Sequence, residues 1–245
     1  MKITSKANSL IKQTKKLKQK KYRTHSYLIE GWHLVEEAQK ANHTFKHLFV
    51  LEEMAERLSD FKPVTVVSPE VLKELTESPK PQGVIAEVAM ETQPLPEELT
   101  GRYLVLEDIQ DPGNVGTIIR TADAACFDGV FISQKTADIY NEKTLRAMQG
   151  SHFHLPIWRA DISEICARVQ AARLPLLAST LSSTSVAYQD LAKSSSFALV
   201  LGNEGRGISD YMTEQADQLV HIPMPGQAES LNVAVAAGIL IFSLI

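Results

Sequence analysis

Short apolar runs alternate with longer stretches of helical periodicity through the second half of the chain. The apolar runs have the length and composition of buried strands, and they lie at residues 103–106, 129–132, 174–179, 197–201 and 219–222. The helical stretches lie between or after them, at residues 115–125, 142–148, 162–172 and 231–244. This alternation predicts an α/β domain with a mostly parallel sheet that is covered by helices on both faces.

The first half carries a smaller α/β pattern. Its predicted strands lie at residues 27–30, 45–51, 64–67 and 83–88, and its predicted helices at 32–41, 53–58 and 69–76. Before this pattern, Asn8 is placed to cap the start of an amphipathic helix whose outer face is rich in lysine. Residues 91–100 are polar and contain Pro94 and Pro96, which is typical of a linker. We therefore expect a domain at 1–92, a linker at 93–100 and a second domain at 101–245.

Composition excludes several classes of protein. The chain has 245 residues and is 44% hydrophobic, enough for a sizeable core, but no run of about 18 apolar residues suggests a membrane span. The lysine-rich N-terminus lacks the apolar segment of a signal peptide. Cys126 and Cys166 indicate neither a disulfide framework nor a zinc site, and His152 and His154 lack a further placed ligand. We expect a cytoplasmic protein without a bound metal.

The net charge of −4 conceals a strongly basic N-terminus. Residues 1–23 contain no acidic side chain and nine basic ones, which are Lys2, Lys6, Lys12, Lys15, Lys16, Lys18, Lys20, Lys21 and Arg23. Such a tract attracts a polyanion such as nucleic acid through counterion release. Taken alone, the same charges are explained equally well by a solvated helix face or a disordered arm.

Three polar segments that contain glycine follow predicted strands. We name them motif 1 (residues 114–120, NVGTIIR), motif 2 (residues 201–207, LGNEGRG) and motif 3 (residues 222–233, IPMPGQAESLNV). In open α/β sheets, ligands bind in loops at the carboxyl ends of the strands. The three motifs therefore predict one composite binding site.

Motif 1 places Asn114 and Gly116 at a strand-to-helix turn, with Arg120 farther into the helix. A helix N-terminus offers free N–H groups to a phosphate, and a nearby arginine adds a bidentate clamp. The alternative is a capped helix whose arginine forms an ion pair at the surface. Motif 1 by itself does not distinguish the two.

Motifs 2 and 3 suggest a ligand other than a polyphosphate. Motif 2 lacks the Gly-Lys-Ser/Thr ending of a phosphate loop, and Glu204 would repel a polyphosphate. We expect Glu204 to accept hydrogen bonds from backbone amides or a cationic partner, although a plain glycine turn before a helix near Ser209 is the simpler alternative. In motif 3, Ser230 would cap the last helix, and the stiff loop before it would expose backbone groups to an adenine edge.

In this order and at these separations, motifs 1 to 3 resemble the three signature motifs of the SpoU branch of the SPOUT class of RNA methyltransferases. Residues 30–38 and 81–84 resemble the L30e-like substrate-binding domain of that family. The resemblance implies a C-terminal domain with a deep trefoil knot whose loops bind S-adenosylmethionine. It also implies a homodimer that builds the active site.

The resemblance also assigns residues by their position in the motifs. Cofactor contacts, made largely through backbone groups, fall to Gly202, Ile222, Leu231 and, outside the motifs, Thr180. The catalytic and RNA-phosphate surface falls to Asn114, Arg120, Glu204, Ser230 and Asn232. Met148 stands where many relatives have a serine, so no role of that serine is transferred to this chain.

The reaction implied is methyl transfer from S-adenosylmethionine to a ribose 2′-hydroxyl of structured RNA, with ribosomal RNA favoured over transfer RNA. We expect Arg120 to clamp a phosphate and stabilise the developing oxygen anion, because a guanidinium with a pKa above about 12 is a poor base. The proton would pass to a phosphate oxygen, Glu204 or water, and the basic N-terminus would contact RNA. The alternatives are ribose methylation of transfer RNA, base methylation, and RNA binding without turnover.

Overall fold

The computed structural model describes residues 2–58, 61–91 and 93–245, and the chain divides into two compact units. The first consists of residues 1–92 and 140–153, and the second of residues 93–139 and 154–245. The sequence predicts an uninterrupted second domain, whereas residues 140–153 pack with the first unit. The reason is that an apolar helix face shows that a helix is covered but not which element covers it.

The first unit is built on a mixed sheet with five strands in the described residues. In chain order they are β1 (Lys2–Ile3), β2 (Ser26–Glu30), β3 (Phe45–Leu51), β4 (Val64–Val67) and β5 (Val84–Ala89). Their order in the sheet is β1-β4-β3-β5-β2, with β4 parallel to β1 and β3, and β5 antiparallel to β2 and β3. The helices of this unit are α1 (Ser9–Lys16), α2 (Trp32–Lys40), α3 (Pro69–Leu75) and α5 (Glu142–Met148). Short 3-10 helices lie at Lys20–Tyr22, Glu52–Leu58 and Ser151–Phe153.

Helix α1 carries three of the nine basic residues of the N-terminus, Lys12, Lys15 and Lys16, on its outer side. The side-chain oxygen of Asn8 accepts a hydrogen bond from the backbone N–H of Leu10 at 2.9 Å, so the predicted N-cap is confirmed. Ile11 and Thr14 are buried, and Ile11 belongs to the core formed with α3 and the sheet. The lysines of α1 are left at the surface.

The second unit contains a sheet whose seven strands in the described residues are all parallel to their neighbours. In chain order they are β6 (Arg102–Leu106), β7 (Gly129–Ile132), β8 (Ile157–Arg159), β9 (Leu176–Ser179), β10 (Val186–Ala187), β11 (Phe197–Leu201) and β12 (Gln218–His221). The helices are α4 (Pro112–Ala124), α6 (Ile162–Ala171), α7 (Asp210–Gln215) and α8 (Val233–Ser243), with a 3-10 helix at Tyr188–Asp190. The prediction of a mostly parallel sheet is confirmed.

The order of this sheet is β10-β12-β9-β11-β6-β7-β8. Parallel strands end at the same edge, so the segments after β12, β9, β11 and β6 are brought side by side. Leu104, Val105, Leu199 and Val200 in its central strands are fully buried, which fits a sheet covered on both faces. The residues of the expected linker also belong to this unit, since Leu95 and Leu99 pack against its core.

Two helices begin at residues other than those predicted. Helix α4 begins at Pro112, and its N-cap Asp111 accepts a hydrogen bond from the backbone N–H of Asn114 at 3.0 Å. Asn114 and Gly116 therefore lie in the first turns of the helix rather than before it. Helix α8 is capped by Asn232 and not by Ser230. No helix within the described residues is long and apolar enough to cross a membrane.

Candidate active site

Three neighbouring strands of the second unit end at one cavity. Strands β9, β11 and β12 are adjacent, and the first residues after them are Thr180, Gly202 and Ile222, respectively. These three residues line a cavity of about 360 Å³, and so does Leu231 of motif 3. The four residues expected to contact a cofactor therefore surround a single space.

Further side chains line this cavity that the motif resemblance does not single out. They include Asn203 from motif 2, Met224 and Glu229 from motif 3, and His221 at the end of β12. Asn203, Met224 and Glu229 lie inside the motifs, so their place in the sequence is a signal that could have identified them. His221 directly precedes motif 3, and its Nδ1 lies 3.0 Å from Ser185 Oγ.

Motif 2 forms a tight hairpin at the carboxyl end of β11. Asn203 and Gly207 exchange two backbone hydrogen bonds of 2.9 Å each. The side-chain oxygen of Asn203 accepts hydrogen bonds from the backbone N–H groups of Gly205 and Arg206, at 3.0 and 3.1 Å. This Asx turn fixes the loop by local hydrogen bonds.

Gly202 leaves no room for a side chain at the cavity wall. A Cβ atom there would lie 2.3 Å from the carbonyl carbon of Gly207 and 2.4 Å from the backbone nitrogen of Ile208. At Gly205, in the same loop, the nearest atom to a Cβ would be 3.7 Å away. Glycine is therefore needed at position 202, because the end of β11 and the return of the hairpin meet there.

The segment after β6 anchors motif 2 from the neighbouring strand. Glu107, a buried residue that directly follows β6, accepts hydrogen bonds from Ser209 N at 2.9 Å and from Ser209 Oγ at 2.6 Å. Asn203 Nδ2 donates to the carbonyl oxygen of Asp108 at 2.7 Å. These contacts hold the start and the exit of the hairpin.

One chain of hydrogen bonds joins the three motifs. Asn114 Nδ2 donates to Glu204 Oε1 at 3.1 Å, and Asn232 Nδ2 donates to Asn114 Oδ1 at 3.1 Å. Asn232 Oδ1 accepts hydrogen bonds from the backbone N–H groups of Ala234 and Val235, at 2.9 and 3.3 Å. Because an ionised carboxylate only accepts, Asn114 turns its NH₂ group to Glu204 and its oxygen to Asn232. Each motif thus fixes the orientation of the next.

The carboxylate of Glu204 accepts hydrogen bonds from three donors. Besides Asn114, the backbone N–H groups of Gln110 and Asp111 donate to Oε2 and Oε1, each at 3.0 Å. Partial desolvation by itself would raise the pKa of Glu204, but the hydrogen bonds to its ionised form outweigh it and lower the pKa below its ordinary value. Glu204 is therefore ionised at neutral pH and engaged on both oxygens, which suits a positioning residue better than a proton acceptor.

Arg120 lies outside this network. It is exposed on α4 and makes no hydrogen bond or ion pair with any residue that the structure describes. Asn114, Arg120 and Asn232 do not line the cavity, whereas Glu204 and Ser230 do. The structure therefore links Asn114, Glu204 and Asn232 through hydrogen bonds and leaves the Arg120 guanidinium available to an external anion.

His152 and His154 each lie close to a neighbouring side chain, and Cys166 is buried. His152 Nε2 lies 3.0 Å from the Tyr27 hydroxyl, and His154 Nδ1 lies 3.3 Å from Asp123 Oδ2. Burial raises the pKa of the Cys166 thiol to about 11, so it is protonated at neutral pH. No group of three His, Cys, Asp or Glu residues in the described part of the chain is placed to hold a metal ion.

Comparison with known families identifies both halves of the chain. Residues 101–242 match the model of the SpoU rRNA Methylase family, and residues 8–86 match that of the MRM3-like substrate binding domain. The first match contains motifs 1, 2 and 3 in full. The second contains α1 and most of the strands of the first unit.

Relatives and solved structures extend the similarity over the whole chain. The chain is 40% identical to the 23S rRNA (guanosine(2553)-2′-O)-methyltransferase RlmP of Bacillus subtilis, over 99% of this chain and 98% of that protein. The AdoMet-bound rRNA methyltransferase from Sinorhizobium meliloti aligns with a TM-score of 0.91 at 33% identity, over 100% of this chain and 97% of that one. The SpoU methyltransferase AviRb from Streptomyces viridochromogenes, in complex with AdoMet, aligns with a TM-score of 0.84 at 28% identity, over 97% of each chain. The chain therefore belongs to the SpoU rRNA methylase family of RNA methyltransferases.

Proposed function

We propose that this SpoU-family enzyme methylates a guanosine ribose 2′-hydroxyl in 23S ribosomal RNA, with S-adenosylmethionine as the methyl donor. The observation that carries the proposal is the hydrogen-bond chain Glu204–Asn114–Asn232, which ties the three motifs together beside the cavity. The choice of ribosomal RNA and of a guanosine is supported by the similarity to RlmP over nearly the full length of both chains.

The cavity suits S-adenosylmethionine in size and chemistry. Its volume of about 360 Å³ falls in the range of small-molecule sites, which is roughly 300–1,000 Å³. The side chains of Leu201, Ile222 and Leu231 form an apolar wall of the cavity. Because Gly202 has no side chain, its backbone can contact a ligand closely. An adenine held between apolar side chains and backbone groups fits such a wall, and no phosphate-binding lysine is required. When bound, the cofactor supplies a methyl group on a sulfonium, which needs no further activation.

The protein's own contribution to the methyl transfer is mainly alignment. Holding the two reacting atoms in line is worth up to about 7–11 kcal/mol of the barrier in favourable cases. We propose that Gly202, Ile222, Leu231 and Thr180 hold the donor. Asn114, Glu204 and Asn232 then act as positioning residues, since they connect the motifs to one another. Ser230 lines the cavity and does not cap α8, so its hydroxyl is free to contact a substrate.

Arg120 is the residue we propose to face the RNA. Its guanidinium, with a pKa above about 12, does not act as a base. It is exposed and unpaired within the described residues, and it can bind a phosphate bidentately while it stabilises negative charge on the 2′-oxygen. Glu204 already accepts three hydrogen bonds, so we propose that the proton passes to a phosphate oxygen or to water.

We propose that the enzyme works as a homodimer. Helix α8 is apolar on every side, and such helices are normally buried all round. Nevertheless Val235 is 52% and Phe242 53% exposed in the single chain. A second copy would cover them. Phe242→Glu should give a monomer in sedimentation velocity, whereas Tyr211→Glu, which changes an exposed aromatic residue of α7, should leave the dimer intact; a wild-type monomer would refute the dimer.

The decisive cellular experiment maps ribose methylation in total RNA from cells with and without the gene. We expect one 2′-O-methylguanosine in 23S ribosomal RNA to disappear without the gene and to return with the wild-type copy but not with Arg120→Ala. Loss of a mark in transfer RNA instead would refute the proposed substrate. The same relationship to bacterial ribosomal RNA enzymes leads us to propose a cytoplasmic location.

A further inference from the structure

The basic side chains of the N-terminus fall into two groups. Five of the nine have partners inside the protein. Lys2 Nζ lies 2.6 Å from Glu52, Lys6 Nζ lies 2.8 Å from Glu74, Lys15 also pairs with Glu74, Lys18 donates to the Thr76 carbonyl oxygen at 3.0 Å, and Arg23 donates to the carbonyl oxygens of Leu17 and Lys18 at 3.0 Å each. These interactions stabilise the positions of β1, of α1 and of the segment that follows α1.

The other four have no such partner. Lys12, Lys16, Lys20 and Lys21 make no hydrogen bond or ion pair within the described residues. Two of them lie beside one aromatic ring, with Lys16 Nζ 5.7 Å and Lys21 Nζ 4.9 Å from the centroid of Tyr22. Tyr22 is itself 42% exposed, so its ring is accessible from solvent.

A groove of about 790 Å³ is lined by some of these residues and by residues of the sheet of the first unit, whereas Lys20 and Lys21 are not among its lining residues. Lys12, Lys16 and Tyr22 line one part of it, and Lys46 of β3 lines another. Lys46 is exposed and also has no partner within the described residues. The acidic side chain among the lining residues, Glu87, accepts a hydrogen bond from Ser26 Oγ at 2.6 Å. The groove thus presents three unpaired ammonium groups and one exposed aromatic ring.

We propose that this groove binds an unpaired nucleotide of the RNA substrate, with its base stacked on Tyr22 and the adjoining phosphates at Lys12, Lys16 and Lys46. The proposal rests on the proposed function, because it assumes an RNA substrate. Single-stranded RNA is bound in this way, by stacking on aromatic side chains beside a positively charged groove. An incoming base replaces the Lys16 and Lys21 ammonium groups beside the Tyr22 ring, and the displaced Lys16 then contacts a phosphate.

The chain offers matched variants to test the groove. Two double variants each remove two positive charges from α1 or the segment before it: Lys12→Gln/Lys16→Gln and Lys6→Gln/Lys15→Gln. Only the first variant removes unpaired lysines that line the groove. Tyr22→Leu removes the aromatic ring, and Tyr22→Phe keeps it. The RNA probe is a 23S fragment designed to present as unpaired the guanosine equivalent to position 2553, which the name of the relative RlmP gives, and a fully paired RNA duplex of equal length is the control.

Fluorescence anisotropy over a range of salt concentrations measures the RNA affinity of each variant and its dependence on salt. Tyr22→Leu should weaken binding of the fragment by about 5- to 150-fold, the usual range for one stacked base, and should leave duplex binding near wild type. Tyr22→Phe should bind both RNAs as wild type does. Lys12→Gln/Lys16→Gln should flatten the slope of log K against log salt by about 1.4, at about 0.7 per single-strand phosphate contact. Lys6→Gln/Lys15→Gln should change that slope little.

Two results separate failure of the groove from failure of the proposed function. If wild type methylates the fragment but Tyr22→Leu binds it as wild type does, or the two lysine pairs have equal effects, the groove proposal is wrong. If wild type neither binds nor methylates the fragment although it binds S-adenosylmethionine by calorimetry, the proposed substrate is wrong.

Discussion

Replacing Glu204 with glutamine separates positioning from proton transfer at this site. The carboxylate accepts hydrogen bonds from the backbone N–H groups of Gln110 and Asp111 and from Asn114 Nδ2. In glutamine, one of the two oxygens becomes an NH₂ group that faces an N–H donor. At least one of the three hydrogen bonds is therefore lost, and motif 2 is held less firmly to motif 1.

The size of the effect follows from that loss. Hydrogen bonds to a charged group are worth about 1.5–3 kcal/mol. Because Glu204 is exposed to solvent, which screens its charge, we expect a value near the lower end. A loss of about 1.5 kcal/mol corresponds to roughly a tenfold rise in the Kd for S-adenosylmethionine.

Two measurements on the same variant check this expectation. Isothermal titration calorimetry should show the weaker Kd, and the single-turnover rate at saturating cofactor and RNA should stay within a few-fold of wild type. Glu214→Gln, which removes an exposed and unpaired carboxylate of α7, should match wild type in both. An unchanged Kd together with a collapse of the saturated rate would refute the reasoning and assign the proton to Glu204.

Three further predictions concern other parts of the chain. Gly202→Ala should abolish the rise in Tm that S-adenosylmethionine gives to wild type, because its Cβ would lie 2.3 Å from backbone, while Gly205→Ala keeps that rise. Arg120→Lys should leave the cofactor Kd unchanged but lower the single-turnover rate at least tenfold, about 1.4 kcal/mol, since an ammonium cannot form the bidentate phosphate contact; wild-type turnover would exclude a guanidinium role. Lys6 and Lys15 lower the pKa of Glu74 from 4.5 to about 2, so its contribution to stability is full above about pH 4.5 and is lost as the pH falls towards 2. Glu74→Gln should therefore flatten the pH dependence of unfolding in that window, and equal curves for both proteins would contradict this.

The sequence was sufficient for those features that depend on local pattern. Parallel strands were predictable from apolar runs separated by helices. The segments after β6, β11 and β12 were predictable as neighbours because parallel strands end at the same edge, whereas Thr180 after β9 followed only from the family resemblance. The Asn8 cap was predictable because an asparagine stands directly before an amphipathic stretch.

Features that depend on partners distant in sequence were beyond that pattern. Ser230 and Asn232 are both residue types that cap helices, so the sequence did not show which of them begins α8. The hydrogen bond of Asn232 to Asn114 spans 118 residues and was not predictable from local pattern. The nine basic residues look alike in sequence, and only the position of Glu74 shows that Lys6 and Lys15 are already paired. The sequence predicted residues 140–153 as part of the second domain, because helical periodicity does not show which surface a helix packs against.

We propose that motifs 1 to 3 together catalyse methyl transfer to a ribose 2′-oxygen. The most direct measurement incubates the purified chain with tritium-labelled S-adenosylmethionine and the 23S fragment, then digests the RNA to nucleosides and identifies the product by mass spectrometry. We predict 2′-O-methylguanosine as the labelled product, and no transfer to a fragment whose target guanosine is replaced by 2′-deoxyguanosine. Label on a base, or transfer that persists on the deoxy fragment, would contradict the claim.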